Sequence, residues 1–236
     1  MGPHPVSIRI DDKQQVSGLL QVPPAAASCF ILAHGAGAGM AHPFMAAVAD
    51  GLAARHIATL RYQFSYMERG AKRTDPPQRA QSTVRAAVTA TARLVPGLDL
   101  FAGGKSFGGR MSSQAQAAAP LPALRGLAFL GFPLHPAGRP SDERAEHLFK
   151  VRIPMLFLQG GRDKLAELQL LQRLVTRLGE RATLHVFADA DHSFHVPARA
   201  GRKDSEIMTG MLDALAAWIE RIRRSAAASN ETMPRD

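Results

Sequence analysis

Stretches rich in Val, Ile, Leu and Phe alternate along this chain with segments of helical length, a pattern that predicts a mostly parallel β-sheet covered by helices on both faces. About eight strands are expected from the apolar runs. Residues 7–11 and 16–22, separated by a few polar positions, read as an antiparallel hairpin. Further strands are expected at 28–33, 59–64, 99–103, 124–130, 155–159 and 183–187, with helices at 43–55, 77–94, 107–118, 144–150, 165–178 and 204–224. Several helix starts carry Pro in the first turn, where no intrahelical donor is needed. Ala80, Val84, Ala87, Val88, Thr91 and Leu94 form a narrow stripe of mostly small residues that lets their helix lie close on a sheet. Segments 65–76 and 132–142 read as irregular connections of loop length. No internal repeat or interdomain linker is visible, so residues 1–225 are expected to form one domain, with 226–236 a disordered polar tail.

One glycine-rich junction carries chemistry. Gly104-Lys105-Ser106-Phe107-Gly108 matches G-x-S-x-G, a sharp strand-to-helix turn in which side chains at the flanking glycines would collide with neighbouring backbone. A serine hydroxyl is a poor nucleophile at neutral pH and needs a base to accept its proton and a carboxylate to orient that base. Asp163 follows the strand at 155–159 and His192 follows the strand at 183–187, which gives the order Ser, Asp, His. All three positions leave the carboxyl ends of their strands, the edge where an open parallel sheet places its ligand crevice.

Alternatives attach to each residue. Ser106 also fits a purely structural turn, Asp163 a helix N-cap, and His195 competes with His192. Asp189 and Asp191 read as turn formers, and His34 as a residue that shapes its loop by hydrogen bonding. For the developing oxyanion, the run His34-Gly35-Ala36-Gly37-Ala38-Gly39 offers the Ala36 N–H, and Phe107 offers its own N–H at a helix start.

Competing motifs fail on spacing. A phosphate-binding G-x-x-x-x-G-K-[ST] loop needs glycine where Asp99 stands. Gly35, Gly37 and Gly39 lack the G-x-G-x-x-G order of a dinucleotide site. No H-E-x-x-H and no thiolate cluster point to zinc, so neither metal nor cofactor is implied.

Composition narrows the setting. With 46% apolar and 21% charged residues the chain is globular, and no apolar run approaches a bilayer span. The N-terminal residues show neither a secretory signal nor a myristoylation pattern. A single cysteine, Cys29, sits in an expected strand as a small buried hydrophobe; a reducing, cytoplasmic home is expected. Lys and Arg outnumber Asp and Glu by 29 to 20, but the basic residues are scattered and aromatic content is 6%, so a solvated basic surface is expected over a nucleic-acid groove.

With these residues in place the sequence resembles an α/β-hydrolase of the dienelactone-hydrolase-like kind, in the family that includes the testis-expressed protein 30 and the KANSL-type subunit of a histone-acetylation complex. The resemblance runs from Ser28 to Trp218. It rests on His34–Gly37, the Tyr66-Met67-Glu68-Arg69-Gly70 run with its neighbours, the Gly104–Arg110 elbow, Gln159–Asp163 and Asp191–Phe194. It implies Ser106 as nucleophile, Asp163 as acid and His192 as base, on an α/β-hydrolase fold. No insertion is long enough for a cap domain, so an open crevice is expected. Tyr66, Met67, Arg69, Lys72 and Arg73 are expected to form its rim, with their positive charge favouring a small acyl substrate that is anionic or polar. The expected activity is hydrolysis of a carboxylic ester or related acyl bond, without cofactor, membrane or nucleic acid. The alternative is a non-catalytic interaction module on the same fold.

Overall fold

The computed structural model describes residues 2–231, with side chains described to residue 225. Eight strands, β1 (His4–Arg9), β2 (Gln15–Gln21), β3 (Ser28–Ala33), β4 (Ile57–Tyr62), β5 (Asp99–Lys105), β6 (Leu124–Leu130), β7 (Met155–Gly160) and β8 (Ala182–Phe187), form one sheet in the order β1-β2-β4-β3-β5-β6-β7-β8. The first hairpin is antiparallel and β2 runs antiparallel to β4; every other pairing is parallel. Strands β3, β4 and β7 are buried at every position, as expected of strands covered on both faces.

Alternation along the strands builds two cores. Cys29, Ile31 and Ala33 of β3 face a cluster that includes Val84 and Val88 of α3 (Pro77–Leu94), Met111 of α4 (Phe107–Ala118) and Leu171 and Leu174 of α5 (Leu168–Leu178). Phe30 and Leu32 face the opposite cluster, with Met45, Val48 and Leu52 of α1 (Pro43–Ala53) and Met211, Leu215 and Trp218 of α6 (Asp204–Glu231). The chain steps from β3 to β4 on one side and then returns to place β5 on the other. The crevice beyond β3 and β5 is therefore the topological switch point where such sheets bind ligands.

Several boundaries differ from the expected ones for local reasons. Segment 65–76 opens with a short helix, α2 (Ser65–Glu68), whose Tyr66 amide donates to the buried Asp75 carboxylate at 2.8 Å. Segment 143–150 is 3₁₀ rather than α. Helix α5 starts at Leu168 because turns through Asp163 occupy the preceding residues. Leu94 is 43% exposed, since α3 ends there and Val95 turns inward instead. Helix α6 continues to Glu231, past the expected end at 224; residues 232–236 of the expected tail lie outside the described residues. No described helix is long and apolar enough to cross a membrane. No inserted domain interrupts the described strands.

Candidate active site

The elbow between β5 and α4 is built by steric exclusion. A Cβ on Gly104 would lie 2.1 Å from the Ala33 carbonyl oxygen, and one on Gly108 would lie 2.6 Å from the carbonyl oxygens of Ala33 and His34. Only glycine at both positions lets α4 start this close to β3. Ser106 between them takes φ 50° and ψ −113°, a conformation non-glycine residues rarely adopt, which lifts its side chain out of the turn.

Three side chains meet there. Ser106 Oγ lies 2.9 Å from His192 Nε2, and His192 Nδ1 lies 2.6 Å from Asp163 Oδ2. Asp163 is fully buried and satisfied: Gln159 Nε2 donates to Oδ2 at 2.5 Å and the Leu165 amide donates to Oδ1 at 2.8 Å. Gln159 is fixed in turn because its Oε1 accepts the Phe132 amide. Asp163 therefore shapes its own turn but does not cap α5, whose N-cap is Glu167.

The histidine loop is held by a second carboxylate. Asp191 Oδ1 accepts the amides of Ser193 and His195, as expected of a turn former, and Phe194 drops into the core between Phe44 and Phe187. His195 points elsewhere. Its Nδ1 pairs with Asp204 at 2.7 Å on the surface, which holds its pKa above the ordinary imidazole value.

The loop after β3 is equally determined. Buried His34 keeps Nδ1 on the Gly35 carbonyl while Nε2 accepts the Phe64 amide, and burial pushes its pKa down, so it is neutral and structural. The Gly37 amide donates to the Tyr66 hydroxyl and the Ala38 amide to the Gly35 carbonyl, which leaves the Ala36 N–H without a hydrogen bond among the described residues. Phe107 is the first residue of α4, so its N–H has no acceptor within the helix.

The expected rim is rearranged. Tyr66 is fully buried, its ring in the core beside Phe107, so it supports the Gly37 turn from beneath. Arg69 pairs with Asp75, Met67 packs against the core, and Lys72 and Arg73 are exposed at the surface. None of these five lines the cavity beside Ser106. That cavity, of about 260 Å³, is bounded instead by Ala36, Ala38, His42, Phe44, Met45 and the Lys105 stem, together with His192. A larger groove of about 630 Å³ runs between β1 and α3, past Arg9, Arg85 and Arg93, far from the Ser106–His192 pair.

Lys105 received no role in the sequence reading, although it occupies the variable position of the elbow. Its Nζ donates to the His192 carbonyl at 2.5 Å and sits 5.5 Å from the Phe194 ring centre. Burial pushes its pKa down to about 8, against the opposing pull of Asp163 and Asp191. The ammonium thus ties the elbow strand to the histidine loop. A lysine at the end of an otherwise apolar strand was the available signal.

Known proteins fit this picture. A family model described as an alpha/beta hydrolase domain matches residues 26–220. Among solved structures the chain is similar to a serine hydrolase without lid from Xanthomonas campestris, at 21% identity and TM-score 0.70, over 92% of this chain and 95% of that one. It is similar to a dienelactone hydrolase from Anabaena variabilis, at 20% identity and TM-score 0.76, over 94% and 99%. A third is an esterase from Pyrococcus furiosus, at 17% identity and TM-score 0.70, over 90% and 91%. At such identities the likeness is one of fold.

Proposed function

We propose that this chain, which belongs to the alpha/beta hydrolase domain family, is a serine hydrolase that cleaves a carboxylic ester or a related acyl bond through an acyl-enzyme. The observation that carries this reading is the unbroken run of contacts from Asp163 through His192 to Ser106, on a serine held at a strained turn. The esterases and serine hydrolases among its structural neighbours support the same class.

The chemistry follows from the atoms. Ser106 Oγ attacks the carbonyl carbon while His192 Nε2 takes its proton; Asp163, on Nδ1, holds the tautomer that leaves Nε2 free to accept. Negative charge moves onto the carbonyl oxygen, which the Ala36 and Phe107 amides stabilise, each such donor lowering the barrier by about 3 kcal/mol. Collapse expels the alcohol, which takes the proton from His192. Water, deprotonated by His192, then attacks the acyl-serine, and the carboxylic acid leaves as Ser106 regains its proton. No cofactor enters these steps.

A fluorophosphonate probe is expected to label the wild-type protein on Ser106, and Ser106→Ala to abolish both labelling and para-nitrophenyl acetate hydrolysis. Labelling that persists in the variant, or a wild type that neither labels nor hydrolyses any ester, thioester or lactone, returns the protein to the interaction-module reading.

A further inference from the structure

We propose that the 260 Å³ cavity beside Ser106 is an acyl pocket for a short, uncharged chain of about four to six carbons, and that Phe44 sets its size. This deepens, and rests on, the reading of Ser106 as nucleophile.

The wall is preformed by segments that the fold holds in place. Ala36 and Ala38 come from the loop after β3, Phe44 and Met45 from the first turn of α1, and Lys105 from the end of β5. That first turn is fixed by Pro43 at its start and by His42, whose Nδ1 accepts the Phe44 amide at 3.2 Å. Met45 is buried in the core. The Phe44 ring stacks on Phe194 of the histidine loop, with centroids 6.1 Å apart and planes within 9°, and Phe194 is buried in turn against Phe187.

The chemistry of the lining selects against charge. Ser106 and His192 are the reacting pair, and Ala36, Ala38, Phe44 and Met45 are apolar. Lys105 carries the one permanent charge among the described lining residues, and its ammonium is committed to the His192 carbonyl at 2.5 Å. A carboxylate placed here would shed water without gaining a partner, whereas an alkyl chain gains about fourfold in affinity for each methylene it buries. The cationic 66–73 segment, on which an anionic substrate was expected, does not reach this cavity.

Size sets the length. An apolar cavity of about 150 Å³ holds one benzene, so at that packing 260 Å³ holds about ten non-hydrogen atoms, an ester group with an acyl chain of about four to six carbons. The acyl side is assigned by the path of the leaving group, which must take a proton from His192 Nε2, depart and be replaced by water. His192 also borders a second groove of about 400 Å³, lined by Arg162, Lys164, Asp191, His195 and Pro197, and Ser106 is not among its lining residues. That polar groove suits a departing alcohol and an incoming water. The apolar cavity holds the chain that stays on Ser106 between the two steps.

The test is a chain-length profile of kcat/KM over para-nitrophenyl acetate, butyrate and octanoate, with the para-nitrophenyl monoester of glutaric acid as an anionic comparison. The wild type is expected to favour butyrate about tenfold over acetate, and to favour it also over octanoate and over the glutaric monoester. Phe44→Ala should raise the octanoate-to-butyrate ratio about tenfold, and Ala38→Leu, which fills the cavity, should lower the butyrate-to-acetate ratio about tenfold. If Phe44→Ala does not fold, Phe44→Leu and Ala38→Leu decide the matter. A second series, alkyl acetates from methyl to hexyl, should keep the same ratios in each variant as in the wild type. Acyl-length ratios that no variant moves, a shift confined to the alcohol series, or a preference for the glutaric monoester overturns the pocket. The two readings separate through fluorophosphonate labelling: a labelled Ser106 with a flat acyl profile removes the pocket alone, whereas an unlabelled Ser106 removes the hydrolase and the pocket with it.

Discussion

Lys105 and Arg110 stand one residue before and four residues after the same serine, and both are drawn substantially out of water, yet their surroundings are opposite in kind. Lys105 donates to the His192 carbonyl, faces Phe194, and feels the carboxylates of Asp163 and Asp191. Arg110 has a buried Nε with no hydrogen-bond partner among the described residues, and burial lowers its pKa. The first cation is compensated by the protein itself, so it belongs to the framework that positions the base. The second has no ion pair among the described residues. A buried charge completed by its own fold is structure, and one that the fold leaves incomplete costs stability.

The largest effect that sharpens this contrast comes from the carboxylate on the compensated side. Asp163→Asn keeps the volume but presents an amide to His192 Nδ1, favouring the wrong tautomer; a fall in kcat of about 10⁴ is expected for this change in a Ser-His-Asp site. Steady-state hydrolysis of para-nitrophenyl acetate measures it. A loss below tenfold would detach Asp163 from the chemistry and leave its three hydrogen bonds a purely structural network.

Next in size is Lys105→Met, which keeps the stem but removes the tie to the histidine loop. Losing a charged hydrogen bond of about 1.5 to 3 kcal/mol should lower kcat by roughly 10 to 100-fold. KM for a small neutral ester should change less, because the substituted side chain still fills the cavity wall. If KM rose while kcat held, Lys105 would be a substrate contact rather than a brace, and the two cations would no longer differ in kind.

These two residues also mark how far the sequence could be read. The parallel sheet, the hairpin and most helices were legible because each depends on local periodicity, and the elbow because Gly104 and Gly108 exclude a Cβ by direct contact with β3. The order Ser106, Asp163, His192 was legible because each follows a recognisable strand. What escaped depends on partners distant in the chain. Tyr66 looked like an exposed rim aromatic, but its hydroxyl is taken by Gly37, 29 residues away, and its amide by Asp75. Lys105 meets the His192 carbonyl 87 residues later. No local pattern encodes a contact across that separation.

A smaller effect probes the uncompensated side through pH. The folded-state pKa of His147 is about 4, below the ordinary value of 6.5, so as pH falls the unfolded chain takes up the proton first. Its contribution to stability is therefore complete above pH 6.5 and is lost as pH falls toward 4. Allowing for its partial exposure, the loss is about 2 kcal/mol. His147→Gln should flatten the decline by that amount, read as the difference in urea midpoint between neutral and acid pH for the two proteins. An unchanged slope would mean that burial does not hold His147 neutral in the folded protein.

The smallest expected effect is the most discriminating, because its sign differs between the clusters. Lys105→Met should lower thermal stability, since the His192 carbonyl loses its donor. Arg110→Gln should leave stability unchanged or raise it by about 0.5 to 1 kcal/mol, because it removes a partly buried charge that has no ion pair among the described residues. Were Arg110→Gln to destabilise the protein as much as Lys105→Met does, the guanidinium would have partners within the fold, and the two cations would be the same kind of structure.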